Sequence, residues 1–400
     1  MHNTVSIGND LFYVGGNDRR ISLFESAYPV PRGVSYNSYL LLDKKTVLFD
    51  TVDLAVSELF LENLAHLLQD RPLDYVIIQH MEPDHSDSFL RIAEKYPEVK
   101  VIANQKTAQM LFNFYGFDSA RVLQMKDGDT FSAGKHNLRF LFAPMVHWPE
   151  VMFTYDETAR VLFSADAFGT FGALGGSIFA DEVHFERDWL DDARRYYLNI
   201  VGKYGVQVQS VLKKASALKI ETVCPLHGPI WRKGFEFLLN KYLLWSGYAP
   251  EEKGVVVFYA SIYGHTQNAA EILARELVKD GVTEVKTYDV AVTHASELLA
   301  EAFRYSHSVF AAPTYNGEVF PAMRNLIGEL KSHGFRNRKY ALIENGSWAA
   351  QAGGQMQAEL ASMKDVVQIG EKVSVLSAVK EPQRAALEAL AAEIAKDYLS

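Results

Sequence analysis

The rhythm of apolar and polar positions changes near residue 250. Before it, short β-rich runs mix with helical spacings. Residues 35–42 and 45–50 read as strands parted by the turn Asp43-Lys44, and residues 55–69 carry Leu59, Phe60, Leu64, Leu67 and Leu68 at helical intervals. Strands are expected at 75–79, 99–103, 138–142, 161–164 and 222–225. Helices are expected at 91–96, at 107–114 with Gly116 as the stop, at 188–204 and at 207–218. The stretch 246–253 is polar, with Gly247, Pro250 and three charges, and marks a domain boundary. Beyond it, strands at 255–259, 285–290, 309–312, 340–343 and 373–376 alternate with helices at 268–279, 295–304, 322–330, 356–363 and 384–398. That alternation predicts an α/β doubly wound parallel sheet, and the mixed first part predicts a layered α/β sandwich.

Composition narrows the classes. Of 400 residues 48% are hydrophobic and 22% charged, an ordinary globular balance for two or three domains. A net charge of -9 with no basic stripe argues against nucleic acid as a partner. The longest apolar runs are strand-sized, so no membrane span is expected, and Met1-His2-Asn3-Thr4 opens no secretory leader. The single cysteine, Cys224, fits a reducing cytoplasm and reads as a small buried hydrophobe. With no C-x-x-C pair, the chain has no rubredoxin-type or ferredoxin-type centre of its own.

The densest chemistry is His80-Met81-Glu82-Pro83-Asp84-His85, on a loop leaving a strand. Two imidazoles and two carboxylates in six residues are costly to hold together unless a cation neutralises them. His147 follows 62 residues after His85, Asp166 another 19 on, and His227 another 61 on, each just past a predicted strand. Seven donors exceed what one tetrahedral zinc takes and suit two ions, with one carboxylate, Asp166, as bridge. This H-x-E-x-D-H…H…D…H pattern resembles the metallo-β-lactamase superfamily and, within it, the flavodiiron proteins. Zinc hydrolases of the superfamily carry a histidine where this chain has Glu82. Three carboxylates make a harder donor set that favours iron. The resemblance implies one iron on His80, Glu82, His147 and Asp166, and another on Asp84, His85, Asp166 and His227.

In the second part, the first strand runs into Ser261-Ile262-Tyr263-Gly264-His265-Thr266-Gln267, which opens a helix. Hydroxyls and N–H groups at a helix start bind phosphate, and the lack of a lysine or of G-x-G-x-x-G excludes the commoner nucleotide loops. The loop resembles the phosphate loop of flavodoxins. Pro313-Thr314-Tyr315-Asn316-Gly317 and Asn345-Gly346-Ser347-Trp348 close the third and fourth strands. In flavodoxin-like folds such loops flank a flavin ring, with Tyr315 and Trp348 as stacking candidates. One phosphate loop and no acidic ribose ligand favour FMN over NAD or FAD.

The resemblance covers the whole chain: residues 1–248 as a metallo-β-lactamase-like αββα diiron domain and 254–400 as a flavodoxin-like domain. It implies reduction of O2 to water, or of NO to N2O, with electrons relayed by FMN from a separate donor such as rubredoxin or reduced coenzyme F420. It also implies a head-to-tail homodimer or dimer of dimers. Tyr196 and Tyr197 resemble a segment that lines the family's gas pocket. Some members carry a histidine near residue 25, where this chain reads Phe24-Glu25-Ser26. The competing readings are a zinc hydrolase fused to a flavodoxin-like module, and an electron-transfer protein whose metals are structural.

Overall fold

The structure, a computed structural model, describes residues 2–400. The chain divides into a first unit ending at Tyr242 and a second beginning at Leu243. Among the described residues no helix is long and apolar enough to cross a membrane.

Two sheets build the first unit. The larger runs β1 (Val5–Ser6), β2 (Leu11–Tyr13), β3 (Tyr39–Leu42), β4 (Thr46–Phe49), β5 (Tyr75–Ile77), β6 (Lys100–Ala103) and β7 (Val122–Gln124), in that spatial order. It is antiparallel as far as β4 and parallel from β4 to β7. The smaller runs β8 (Thr130–Ser132), β9 (Asn137–Phe142), β10 (Met152–Asp156), β11 (Val161–Phe163) and β12 (Thr222–Cys224), with only β11 and β12 parallel. Register puts Phe49 level with Ile77, and Phe163 level with Cys224. Phe49 stacks flat on Phe163 at 3.8 Å, so the two sheets are joined by an aromatic floor where these four strands end. Loops leaving four adjacent strand ends therefore emerge on one side.

Helix α1 (Ser57–Leu68) buries Phe60, Leu64 and Leu68 on one face. Helix α2 (Gln105–Tyr115) starts where Asn104 accepts from the Thr107 N–H and stops at left-handed Gly116, the expected stop. Three sequence readings differ. The run 35–42 is not one strand: Val34–Tyr36 pairs with Gly16–Asp18, and Asn37 leaves the ladder. Its side-chain amide donates instead to the Pro225 and Gly228 carbonyls at 2.9 and 2.8 Å. The helix expected at 188–204 is broken into Phe185–Asp188, α3 (Leu190–Tyr196), a π-helical turn Tyr197–Val201 and the short 3₁₀ turn Gly202–Tyr204, before α4 (Gly205–Ala215). Asn199 donates to the Arg195 carbonyl at 2.7 Å, and β-branched Ile200 and Val201 with Gly202 and Gly205 weaken an α continuation. The third is an omission: strands β7, β8 and β10 were not expected.

In the second unit the main strands are β13 (Glu252–Tyr259), β14 (Val285–Asp289), β15 (Tyr305–Tyr315), β16 (Arg338–Asn345), β17 (Val366–Gln368) and β18 (Val373–Val375), and the two-residue run Glu318–Val319 folds back antiparallel on the end of β15. The spatial order is β14-β13-β15-β16, with β17 and β18 pairing in turn along the outer edge of β16, and all six are parallel. Five helices alternate with them: α5 (His265–Lys279), α6 (Ala295–Arg304), α7 (Pro321–Ser332), α8 (Ala352–Ala361) and α9 (Glu381–Leu399). Val255, Val257, Val309, Ala311 and Ile343 bury against Leu273 and Leu277 of α5 and Leu390 and Ile394 of α9. The fold is the expected one: an αββα sandwich followed by a flavodoxin-like sheet.

Candidate functional site

At the end of β4, Asp50 accepts from the Gln79 and His80 backbone N–H groups at 2.7 and 3.2 Å, fixing the chain as it leaves β5. Pro83 then starts a single helical turn, Pro83–Ser86, from which Asp84 and His85 both reach one cluster. Thr51 donates from N and Oγ1 to the His85 carbonyl. After β11, left-handed Ala165 turns Asp166 inward. After β12, His227 donates from Nδ1 to the Ser35 carbonyl at 2.7 Å, which leaves Nε2 as the free lone pair.

All seven donors expected from the sequence come together, in two clusters: His80, Glu82, His147 and Asp166, and beside them Asp84, His85 and His227. Asp166 serves both. Its Oδ2 lies 3.3 Å from His80 Nε2 and 3.1 Å from His147 Nε2, while Oδ1 lies 3.1 Å from His85 Nε2 and 3.7 Å from His227 Nε2. Both oxygens of Asp84 are buried and accept no hydrogen bond. His85 and His227 face each other Nε2 to Nε2 at 3.1 Å. Buried lone pairs converging without donors fit cations.

The electrostatics agree. Burial pushes His80, His85 and His147 down, but neighbouring carboxylates outweigh it: His85 and His147 rise to about 9, and His80 well above its usual value. Burial likewise raises Glu82 and Asp166, but the imidazoles overcome it and hold both below the usual range. Three functional contacts escape sequence reading. Glu150 accepts from His80 Nδ1 at 2.8 Å and from the Met81 N–H at 2.9 Å, orienting that imidazole. Its signal was an acid three residues after His147. Asp50 and the Ser35 carbonyl are the second and third. Glu25, which stands where some family members carry a histidine, lies on the turn between Leu23–Phe24 and Tyr28–Pro29, and its carboxyl meets Glu82. Glu25 remains exposed on its outer side, yet desolvation where its carboxyl meets the site, and then Glu82, pushes it up to about 8.

Phe24 and Tyr196 close over His227, with ring centres 5.4 and 5.6 Å away. The Tyr196 hydroxyl is buried and has no hydrogen-bond partner. Gly169 makes room for it: a Cβ there would lie 2.9 Å from the Asp166 carbonyl and 3.0 Å from the Tyr196 ring. Tyr197 turns onto Tyr242 instead, at 4.7 Å.

In the second unit the three expected loops wall one groove of about 830 Å³. Ser261, Tyr263, His265 and Thr266 supply one side, and Pro313, Thr314, Asn316 and Gly317 another. Asn345 to Trp348 close it. Gly264, Gln267 and Tyr315 do not line it: Gly264 is the left-handed residue before α5, Gln267 bonds Glu271, and Tyr315 packs near Phe320. Ser261 Oγ accepts from the Gly264 N–H at 3.0 Å, which shapes the loop. Tyr263 and Trp348 are 88% and 94% exposed, an unusual cost for large rings unless a flat ligand covers them.

Known proteins share this arrangement. Residues 34–228 match the ODP family beta lactamase model and residues 257–380 the flavodoxin model. A nitric oxide reductase of Moorella thermoacetica is 30% identical over 89% of this chain and 88% of its own. The anaerobic nitric oxide reductase flavorubredoxin of Vibrio vulnificus is 29% identical over 89% of this chain and 73% of its own. The rubredoxin oxygen:oxidoreductase of Desulfovibrio gigas superposes with a TM-score of 0.92 at 26% identity, covering 99% of both chains. With its sandwich, its flavodoxin-like sheet and these relatives in the same order, the chain belongs to the flavodiiron proteins.

Proposed function

We propose that this oxidoreductase reduces O2 to water, NO to N2O, or both, at a non-haem diiron site fed through FMN. The carrying observation is the division of the Asp166 oxygens between two donor clusters. One iron would be held by His80, Glu82, His147 and Asp166, and the other by Asp84, His85, Asp166 and His227. Two such irons supply open positions for a diatomic gas and electrons for its reduction. The chain's own residues do the rest. Glu150 and the Ser35 carbonyl fix the tautomers of His80 and His227, so each presents Nε2. Phe24 and Phe171 pack around Tyr196 and keep bulk water from the pocket. The Tyr196 O–H, beside His227 and without a partner among the described residues, is available as a hydrogen-bond donor to a bound gas. Tyr197 packs on Tyr242 and takes no part at the metals in this reading.

In residues 254–400, Ser261 and Thr266 hydroxyls would take the FMN phosphate, with Tyr263 and Trp348 beside the ring. Residues 1–248 form the diiron domain in this reading, and the chain works in the cytoplasm as a homodimer with a separate donor, rubredoxin or reduced F420. Metal and flavin analysis of anaerobically purified protein, followed by O2 and NO consumption with a reduced donor, tests it. Two irons and one FMN per chain with gas uptake are expected. About one zinc, no iron and hydrolytic turnover would replace it with a zinc hydrolase carrying a flavodoxin-like module. Mixing His80→Ala chains with Ser261→Ala/Thr266→Ala chains tests the homodimer: partial activity returns if one chain's flavin serves its partner's metals.

A further inference from the structure

The segment that carries Trp348 is tied down at both ends. At its start, the Asn345 amide donates to the Ser377 carbonyl at 3.0 Å, and the Gly346 N–H donates to the Val375 carbonyl at 3.1 Å. At its end, the Gln351 and Ala352 N–H groups donate to Thr314 Oγ1 at 2.8 and 3.1 Å, so this hydroxyl is spent on the start of α8. One residue further, the Gly353 N–H donates to Glu344 Oε2 at 2.7 Å. Glu344 immediately precedes the segment, so its carboxylate bonds across to the segment's far end. It is 2% exposed, and its other oxygen accepts from Ser374 Oγ at 2.7 Å and Lys372 Nζ at 2.5 Å. The two neighbouring glycines differ sharply. A Cβ on Gly353 would lie 2.2 Å from Lys372 Cδ and 2.8 Å from Glu344 Oε2, whereas a Cβ on Gly354 meets nothing within 4 Å.

We propose that Glu344 is a positioning residue for the flavin: with Lys372, Ser374 and the Gly353 amide it clasps the 345–352 arch, so that Trp348 stands preset beside the groove. The inference rests on the flavin reading above and deepens it. A loose arch would have to be ordered when the ring binds, and a clasped one has already lost that freedom. The clasp acts on the ring side of the ligand, not on its phosphate.

The test uses the full chain stripped of flavin and titrated with FMN and with riboflavin, followed by flavin fluorescence. Gly353→Ala and Glu344→Gln should each weaken both flavins by about tenfold, while Gly354→Ala changes neither. Equal loss for riboflavin, which has no phosphate, marks a ring-directed effect, and Ser261→Ala should weaken FMN alone. In a Trp348→Ala background Gly353→Ala should add nothing, because the group being positioned is gone. If Gly353→Ala does not fold, Ser374→Ala, which removes one donor without adding bulk, carries the same comparison. The proposal is overturned if Gly353→Ala (or its Ser374→Ala substitute) binds both flavins as tightly as Gly354→Ala, or if it still weakens them without Trp348. A wild-type chain that takes up neither flavin sinks the flavin reading itself, and this inference with it.

Discussion

The metal centre and the flavin groove solve the binding problem in opposite ways. The first gathers seven charged or titratable side chains from segments spread between residues 80 and 227 and buries nearly all of them. The second uses neutral hydroxyls, amides and aromatic rings on three loops open to water. Charges buried together must have partners, and the imidazoles and carboxylates of the first face each other at 3.1–3.3 Å. The groove has no such obligation, and its large rings simply stay wet. The contrast implies a centre intolerant of losing any member and a cradle whose parts fail one at a time.

The sharpest way to break the contrast is Asp166→Ala. Metal analysis should show both ions lost, with FMN retained, whereas His227→Ala should empty mainly one position. Next is Glu150→Gln, which keeps shape but weakens the orientation of His80. Metal titration should show about 10–100-fold weaker binding at one position only. A smaller effect is expected in the groove: Ser261→Ala should weaken FMN by about tenfold and leave the metal content unchanged.

The smallest effect is a change in pH slope. In metal-free protein the raised His85 and His147 contribute stability that is complete below their unfolded value of 6.5 and is lost as pH rises through about 9. The lowered Glu82 contributes above its unfolded value of 4.5 and loses its contribution as pH falls. Melting of the metal-free chain should therefore weaken from pH 6.5 towards 9. Metal-loaded protein should strengthen over that window, because the ions no longer compete with protons. Removing FMN should leave either slope as it was; a flavin-dependent slope would show that the two sites are not electrostatically separate.

Most of the site was legible because its donors are side chains crowded at strand ends. Six residues from His80 to His85 point to a cation site before any fold is known, and three loops after alternating strands point to a nucleotide groove. What escaped has physical reasons. The Ser35 carbonyl that orients His227 has no letter in a sequence, since every residue carries one. Asn37 sits in a strand-like run, yet its amide abandons the ladder to brace the loop around His227, a tertiary demand overriding local propensity. Glu150 follows Pro149 in what reads as a polar turn, and only the packing turns its carboxylate inward onto His80. Strand β10 and the edge strand β17 were lost because short apolar runs carry little period of their own. The break at 197–201 is a matter of register that periodicity blurs.

That π-helical turn has a genetic consequence. Each residue of an α-helix advances the face by about 100°. The wide turn at Tyr197–Val201 holds one residue more than an α turn would, between Tyr196 over His227 and the helix α4 that follows. Because the extra residue is absorbed inside one turn, loss of a single codon there would let the segment relax into regular α-helix with the downstream faces nearly where they were. Val208 and Val211 would keep their places in the core. A single-residue deletion within 197–201 should thus be tolerated far better than one inside the regular helix α4, where every later side chain would turn by about 100°, and a deletion scan across both segments would show the difference.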